Sequence, residues 1–320
     1  MEDYPLSQDD LEERFSDDEA CLEYLRKIRW PNGFVCPVCG KKKAWETKRG
    51  LYHCQSCNHQ TSVTSGTIFH RSQKPLHLWF RAIWDVIGQS NGASARSIKR
   101  TLDLGSYQTA WSWLQKLRKA MIRPNRERLS GTVQVDETYL GGRKEGKRGR
   151  GALGKAIIAI AVEDKDGEGD EKARVGRVRL KHIKSASKKD LLEFLMQAVD
   201  PTSIIRTDDW KGYYGIEKHG YVHEIIAPNE LRLPHLIASL LKRWILGTHQ
   251  GAIRPSHLAY YLDEFTFRFN RRTSAHRGKL FFRLIENAVK VEPVPLNSLK
   301  APNQNDKDDN FDDIYSDHNM

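Results

Sequence analysis

The chain has 320 residues, 39% hydrophobic and 29% charged, with a formal net charge of +11 and a mean hydropathy of −0.64. That length allows two or three domains around well-buried cores. No apolar run reaches the ~18 residues of a membrane span, and the acidic start MEDYPLSQDDLEERFSDDE lacks the basic flank and apolar centre of a secretory signal. These features exclude membrane-spanning and secreted classes and lead to the expectation of a cytoplasmic protein.

The charge is unevenly spread. Residues 1–19 carry nine acidic side chains against Arg14, and residues 301–320 carry six against Lys307. The body between them holds 50 basic and 26 acidic residues, a net charge near +24. An excess of this size points to a polyanionic partner, above all nucleic acid. Residues 1–19 and 291–320 read as acidic disordered tails.

Residues 20–74 open with CLEYLRKIRW, an amphipathic helix in which Cys21 is a small core residue. Two Cys-x-x-Cys pairs follow, Cys36/Cys39 and Cys54/Cys57. Each pair sets two sulfurs on one tight turn, and two facing turns complete a tetrahedral zinc cage. Strands at GFVCP, KKAWET, LYHCQ and QTSVT make this a zinc ribbon, with His53 and His59 as flanking residues. Disulfides would need an oxidising compartment, which nothing in the chain indicates.

Residues 75–125 read as three helices: PLHLWFRAIWDVIGQ, ASARSIKRTLDL and QTAWSWLQKLRKAM, the last two joined at Gly105–Tyr107. This is the outline of a helix-turn-helix-like DNA-binding module. The last helix offers Gln108, Thr109, Ser112, Gln115, Lys116, Arg118 and Lys119 for base edges and phosphates, and Trp111, Trp113 and Leu117 for a core.

In residues 126–290 the period changes. GTVQVDETYLGG alternates apolar and polar residues, KAIIAIAVED is apolar throughout, and RVGRVRLKHI alternates again. An amphipathic helix (187–199), short strands at 203–210 and 221–227, and further helices complete the order of an RNase H-like mixed α/β domain. Asp136 falls inside the first strand and Asp208 at the end of the fourth. Their carboxylates can meet at one sheet edge, where a hard cation, Mg²⁺ or Mn²⁺, would relieve their repulsion. Glu137 and Asp209 point the other way along an extended chain. The loop at 141–155 carries Arg143, Lys144, Lys147, Arg148 and Arg150 on a glycine-rich backbone, which suits sequence-independent phosphate contact and equally a solvated surface loop.

The segments WPNGFVCPVCG, CNHQTSVTSGTIFH, VQVDETYLGG, RTDDWKGYYGIEKHGYVHE, LLKRWILGTHQG and YYLDEFTFRFNRR make the chain resemble bacterial insertion-sequence transposases of the DDE superfamily, in the ISXO-type group with a zinc-ribbon front end. The resemblance runs from about Cys21 to Val289. It implies recognition of terminal inverted repeats in double-stranded DNA, metal-dependent strand cleavage and transfer into a target, action as a homodimer or larger assembly, and a nucleoid location. It carries Asp136 and Asp208 over as two members of the metal-binding triad. Aligning on LLKRW sets Lys242 on the group's recurring lysine, suited to a terminal phosphate, and His235 on the position usually held by Glu or Asn. A neutral imidazole there makes a softer site, favours Mn²⁺ and adds pH dependence. Glu230 is a competing carboxylate, and His235 has the alternative of a helix-start residue hydrogen-bonded to a neighbour. Two functions from other classes stay open: a DNA-binding protein that no longer cuts, and a ribbon-containing RNA-processing nuclease.

Overall fold

The computed structural model describes residues 2–89, 91–123, 126–141, 155–165, 174–251 and 253–300. They fall into two compact units, one of Met1–Arg123 with Ser274–Ala301 and one containing Pro124–Thr273.

In the first unit, α1 (Gln8–Arg14) starts at Ser7, whose hydroxyl accepts the amide of Asp10 at 3.1 Å. Helix α2 (Asp18–Arg29) is capped in the same way by Asp17. The expected disordered tail at 1–19 is therefore corrected: Leu11 and Phe15 are buried, and the Phe15 ring meets Tyr24 at 4.9 Å and Phe80 at 4.8 Å. Composition hid this because the acidic residues occupy the wet face, while Leu11 and Phe15 stand four apart on the dry one.

The ribbon is a three-stranded antiparallel sheet, β1 (Ala44–Glu46), β2 (Tyr52–Cys54) and β3 (Gln60–Thr61). The expected strand at GFVCP is not formed; that segment runs as turn and coil into the first cysteine knuckle.

Helices α3 (Leu76–Gly88), α4 (Ala95–Thr101) and α5 (Tyr107–Ala120) come next. Asp18 accepts the Leu76 amide at 2.7 Å, supplying the start of α3 with the cap that Pro75 lacks. Ser94 and Ser106 cap the other two. In the turn between α4 and α5 the left-handed residue is Asp103 (φ 47°), not Gly105.

The second unit is built on a five-stranded sheet of β4 (Thr132–Leu140), β5 (Ala156–Lys165), β6 (Arg174–Ile183), β7 (Ile204–Thr207) and β8 (Val222–Ile225), in the order β6-β5-β4-β7-β8. The pairs β4–β5 and β5–β6 are antiparallel, while β4–β7 and β7–β8 are parallel. Helix α6 (Lys188–Ala198) crosses from β6 to β7; α7 (Arg232–His249) and α8 (Leu258–Phe269) follow β8. Each face of the sheet has its own core. Val133, Val135, Phe194, Ile205 and Tyr213 pack on one side, and Leu140, Ile158, Ile160, Ile237 and Leu241 on the other. This explains why β5 is apolar at almost every position.

The chain then returns to the first unit through α9 (Arg277–Ala288) and α10 (Leu296–Lys300). Phe281 lies 5.4 Å from Phe80, and Gly278 sits where a Cβ would strike the Pro5 carbonyl oxygen. Two boundaries are corrected here. Residues 274–290 leave the domain expected over 126–290, and residues 291–300 are not tail, since Val291, Val294 and Leu299 are buried. An apolar helical stripe shows that it packs, not on what.

Candidate functional site

Two sites emerge, one in each unit. In the ribbon, the Sγ atoms of Cys36, Cys39, Cys54 and Cys57 all lie within 4.8 Å of one another. Cys36 and Cys57 are 3.6 Å apart, Cys39 and Cys54 3.5 Å. A tetrahedron with Zn–S bonds of ~2.3 Å has sulfur–sulfur edges of about 3.8 Å, so the cage is of zinc size. The knuckles match: Gly40 donates to the Cys36 carbonyl at 2.9 Å and Asn58 to that of Cys54 at 3.0 Å. Both closing residues are left-handed (φ 70° and 60°), which glycine and asparagine tolerate. Burial opposes ionisation of Cys54, but the amides of Ser56 and Cys57 outweigh it and bring its thiol down to about 6. Neither His53 nor His59 belongs to the cluster.

The ribbon also has a feature that sequence reading passed over. Trp45 is 46% exposed, stands opposite His53 in the β1–β2 register, and its ring centroid lies 4.1 Å from that of His53, the planes tilted by 36°. Lys41, Lys42 and Lys43 precede it, exposed. Glu46, the acid of that strand, points away into an ion pair with Arg26 at 3.1 Å. An aromatic residue in a period-2 strand that leaves it on the wet face was the available signal.

In the second unit, the parallel register pairs Thr132 with Ile204, Val133 with Ile205 and Gln134 with Arg206. The paired ladder ends there: Asp136 lies two residues further along β4, and Asp208 directly follows Thr207, the last residue of β7. Asp136 lies on the α7 side of the sheet. Its Oδ2 is 3.2 Å from Nε2 of His235, and the neighbouring Gln134 accepts the Leu233 amide at 3.2 Å. The amide of Glu137 donates to Asp136 Oδ1 at 2.7 Å, and that of Trp210 to Asp208 Oδ1 at 3.2 Å. Glu137 faces the opposite side. There, burial together with the charges of Glu137, Asp136 and Asp208 raises the phenol of buried Tyr213.

The structure thus brings Asp136 and His235 into contact and sets Asp208 just past the end of β7, the parallel neighbour of β4. It does not gather three donor atoms of this trio within 4.8 Å; among the described residues only the cysteine cluster meets that distance. Glu230 lies in the turn before α7, where its carboxylate accepts the Ala227 amide at 3.0 Å. Asp208, Asp209 and Trp210 line an open cleft with Ile225, Ile226, Ala227 and Pro228.

Lys242 is half-buried two turns along α7 from His235. Burial and then the neighbouring Lys155 ammonium lower its pKa. In α5, Gln108 is half-exposed and Lys119 exposed, but Ser112, Gln115 and Arg118 are buried and cannot reach a groove. Lys116 is half-buried, its ammonium 5.9 Å over the Trp79 ring, and burial lowers its pKa. The face of α5 that the sequence assigned to DNA is therefore largely a packing face. Arg143, Lys144, Lys147, Arg148 and Arg150 lie outside the described residues.

Comparison with known proteins agrees with this two-part layout. Residues 128–270 match the ISXO2-like transposase domain and residues 16–60 the transposase zinc-ribbon domain. The chain is 24% identical over 286 residues to an uncharacterized protein in the transposable element ISH50 of Halobacterium salinarum, an alignment covering 79% of this chain and 91% of that protein. No described helix is long and apolar enough to cross a membrane.

Proposed function

The chain belongs to the ISXO2-like transposase family, and from that premise we propose that it is a DNA transposase that binds the terminal inverted repeats of an insertion sequence and catalyses metal-dependent strand cleavage and strand transfer. The observation that carries the reading is the contact of His235 Nε2 with Asp136 Oδ2 at 3.2 Å, on a strand whose parallel neighbour β7 ends one residue before Asp208. The sheet order β6-β5-β4-β7-β8 with its antiparallel and parallel halves supports an RNase H-like catalytic domain.

Two carboxylates and one imidazole form a donor set that suits Mg²⁺ or Mn²⁺, with the imidazole favouring Mn²⁺. Asp136, Asp208 and His235 would hold that ion, which when bound supplies an activated oxygen nucleophile and stabilises the leaving oxygen of a phosphodiester. The protein's own contribution is orientation: the Glu137 and Trp210 amides each hold one oxygen of the two carboxylates, and the second oxygen of Asp136 meets His235 Nε2. Lys242 offers a cation on the His235 face of α7 for a phosphate next to the reacting bond. The four ribbon cysteines would hold a structural Zn²⁺. The ribbon and α3–α5 bind the element ends through a dimer or larger assembly, on the nucleoid of a bacterial cytoplasm.

The test is cleavage of a terminal-repeat duplex in Mg²⁺ or Mn²⁺. Activity lost in Asp136→Ala and in Asp208→Ala supports the proposal, and end-binding without nicking by the wild type in either metal defeats it. One observation favours a second reading, a DNA-binding protein that no longer cuts: the three donors do not converge within 4.8 Å among the described residues. The same assay decides between the two.

A further inference from the structure

Behind Asp208 runs a chain of polar side chains that the reading above does not use. Thr207, the last residue of β7, is fully buried, and its hydroxyl donates to the Asp208 carbonyl oxygen at 2.7 Å. The same hydroxyl oxygen is 2.8 Å from Nε2 of His223 on β8. The His223 side chain is 3% exposed, and its Nδ1 is 3.4 Å from Oε1 of Glu217, which sits on the short 3-10 turn Ile216–His219. The parallel register sets His223 opposite Ile205, so His223 and Thr207 are diagonal neighbours on one face of the sheet, and Asp208 projects to the other.

Counting protons shows how the chain holds together. A hydroxyl has one hydrogen. When Thr207 spends it on the Asp208 carbonyl, its lone pair accepts N–H from His223 Nε2. The Glu217 carboxylate, kept below its ordinary range first by its own backbone amide, likewise takes N–H from Nδ1. All three links exist together only with both ring nitrogens protonated. With one proton on the ring, either Glu217 is released, or the hydroxyl turns to the ring and the Asp208 carbonyl is released.

We propose that Glu217, His223 and Thr207 form a positioning relay that sets the direction of the Asp208 carboxylate. The carbonyl direction is the ψ angle of Asp208, and its Oδ1 is already tied to the Trp210 amide. Fixing both restricts the directions open to the second carboxylate oxygen. None of the three touches the reacting atoms; they act through Asp208. The inference rests on the reading of Asp208 as a metal-binding carboxylate.

The experiment measures Mn²⁺ affinity by calorimetry on the full-length, zinc-loaded chain, alongside the metal-free melting temperature. Thr207→Val keeps the shape and removes the hydroxyl; it weakens Mn²⁺ binding about tenfold, as loss of an outer-sphere hydrogen bond does, and Thr207→Ser restores it. Glu217 is 55% exposed at the side chain, so Glu217→Ala leaves folding intact. It weakens Mn²⁺ in the same direction without lowering the melting temperature, which keeps the proposal testable if the valine variant fails to fold. Wild-type affinity in Thr207→Val or in Glu217→Ala, or a serine variant as weak as the valine one, overturns the relay. Asp208→Asn separates the two layers. If it abolishes binding while the relay variants bind normally, only the relay is wrong; if it binds normally, the metal-site reading falls and the relay with it.

Discussion

Replacing His235 by alanine separates a metal ligand from a helix-start residue that merely pairs with Asp136. Its side chain is 55% exposed, against 16% for Asp136, so the contact is solvent-screened on the imidazole side and worth about 0–1 kcal/mol, and the metal-free protein should melt within a few degrees of wild type. Metal binding responds differently. At a Mn²⁺ concentration of one hundred times Kd, a single site stabilises the fold by about 2.7 kcal/mol. A tenfold weaker site retains about 1.4 kcal/mol and a hundredfold weaker one about 0.4 kcal/mol. The loss of about 1.3–2.3 kcal/mol cuts the Mn²⁺-induced rise in melting temperature by roughly 3–9 °C. The assay is a melting curve with and without Mn²⁺, followed by cleavage of a terminal-repeat duplex. His235→Glu should keep the metal effect and shift it toward Mg²⁺. A full Mn²⁺ shift and wild-type cleavage in His235→Ala would refute ligation by the imidazole. A metal-free loss above about 2 kcal/mol would make the residue structural instead.

Cys39→Ser should lower zinc content and expose the ribbon amides to hydrogen exchange, because binding energy at such a site is folding energy; full zinc content in the variant contradicts the four-sulfur cage. Phe15→Ala should destabilise the first unit by about 3–5 kcal/mol, read by denaturant unfolding, since Phe15 packs on Tyr24 and Phe80; a neutral result would mean that the N-terminal segment does not dock. Trp45→Ala should weaken DNA binding by about 1–3 kcal/mol if the indole stacks on a base, with an unchanged melting temperature because the ring is 46% exposed. Asp263 is pushed up to about 7, chiefly by burial, with the Arg126 charge opposing. The folded state therefore holds a proton there that the unfolded state releases near pH 4, and stability falls as pH rises from about 4 to 7, by up to roughly 4 kcal/mol. Asp263→Asn should flatten that decline; an unchanged pH profile would refute the assignment.

Sequence alone determined whatever depends on neighbours in the chain. The Cys-x-x-Cys spacing set the knuckles, with Gly40 and Asn58 as closing residues. The shift from helical to alternating period marked β4 through β8 in their order. It also singled out Asp136 as an acid inside the first strand of the sheet domain. Tertiary structure decided what depends on which surface meets which. Leu11 and Phe15 found a core that an acidic composition concealed, and α9 returned to the first unit because its apolar stripe names no partner. Gln115 and Arg118, groove-reading types on paper, were buried by the face that α5 turned inward. The contact between His235 and Asp136 spans ninety-nine residues of sequence, and the link from Glu217 through His223 and Thr207 to Asp208 depends on a parallel register. Side-chain chemistry is written locally, but the distances that make a site are set by how strands and helices pair across the chain.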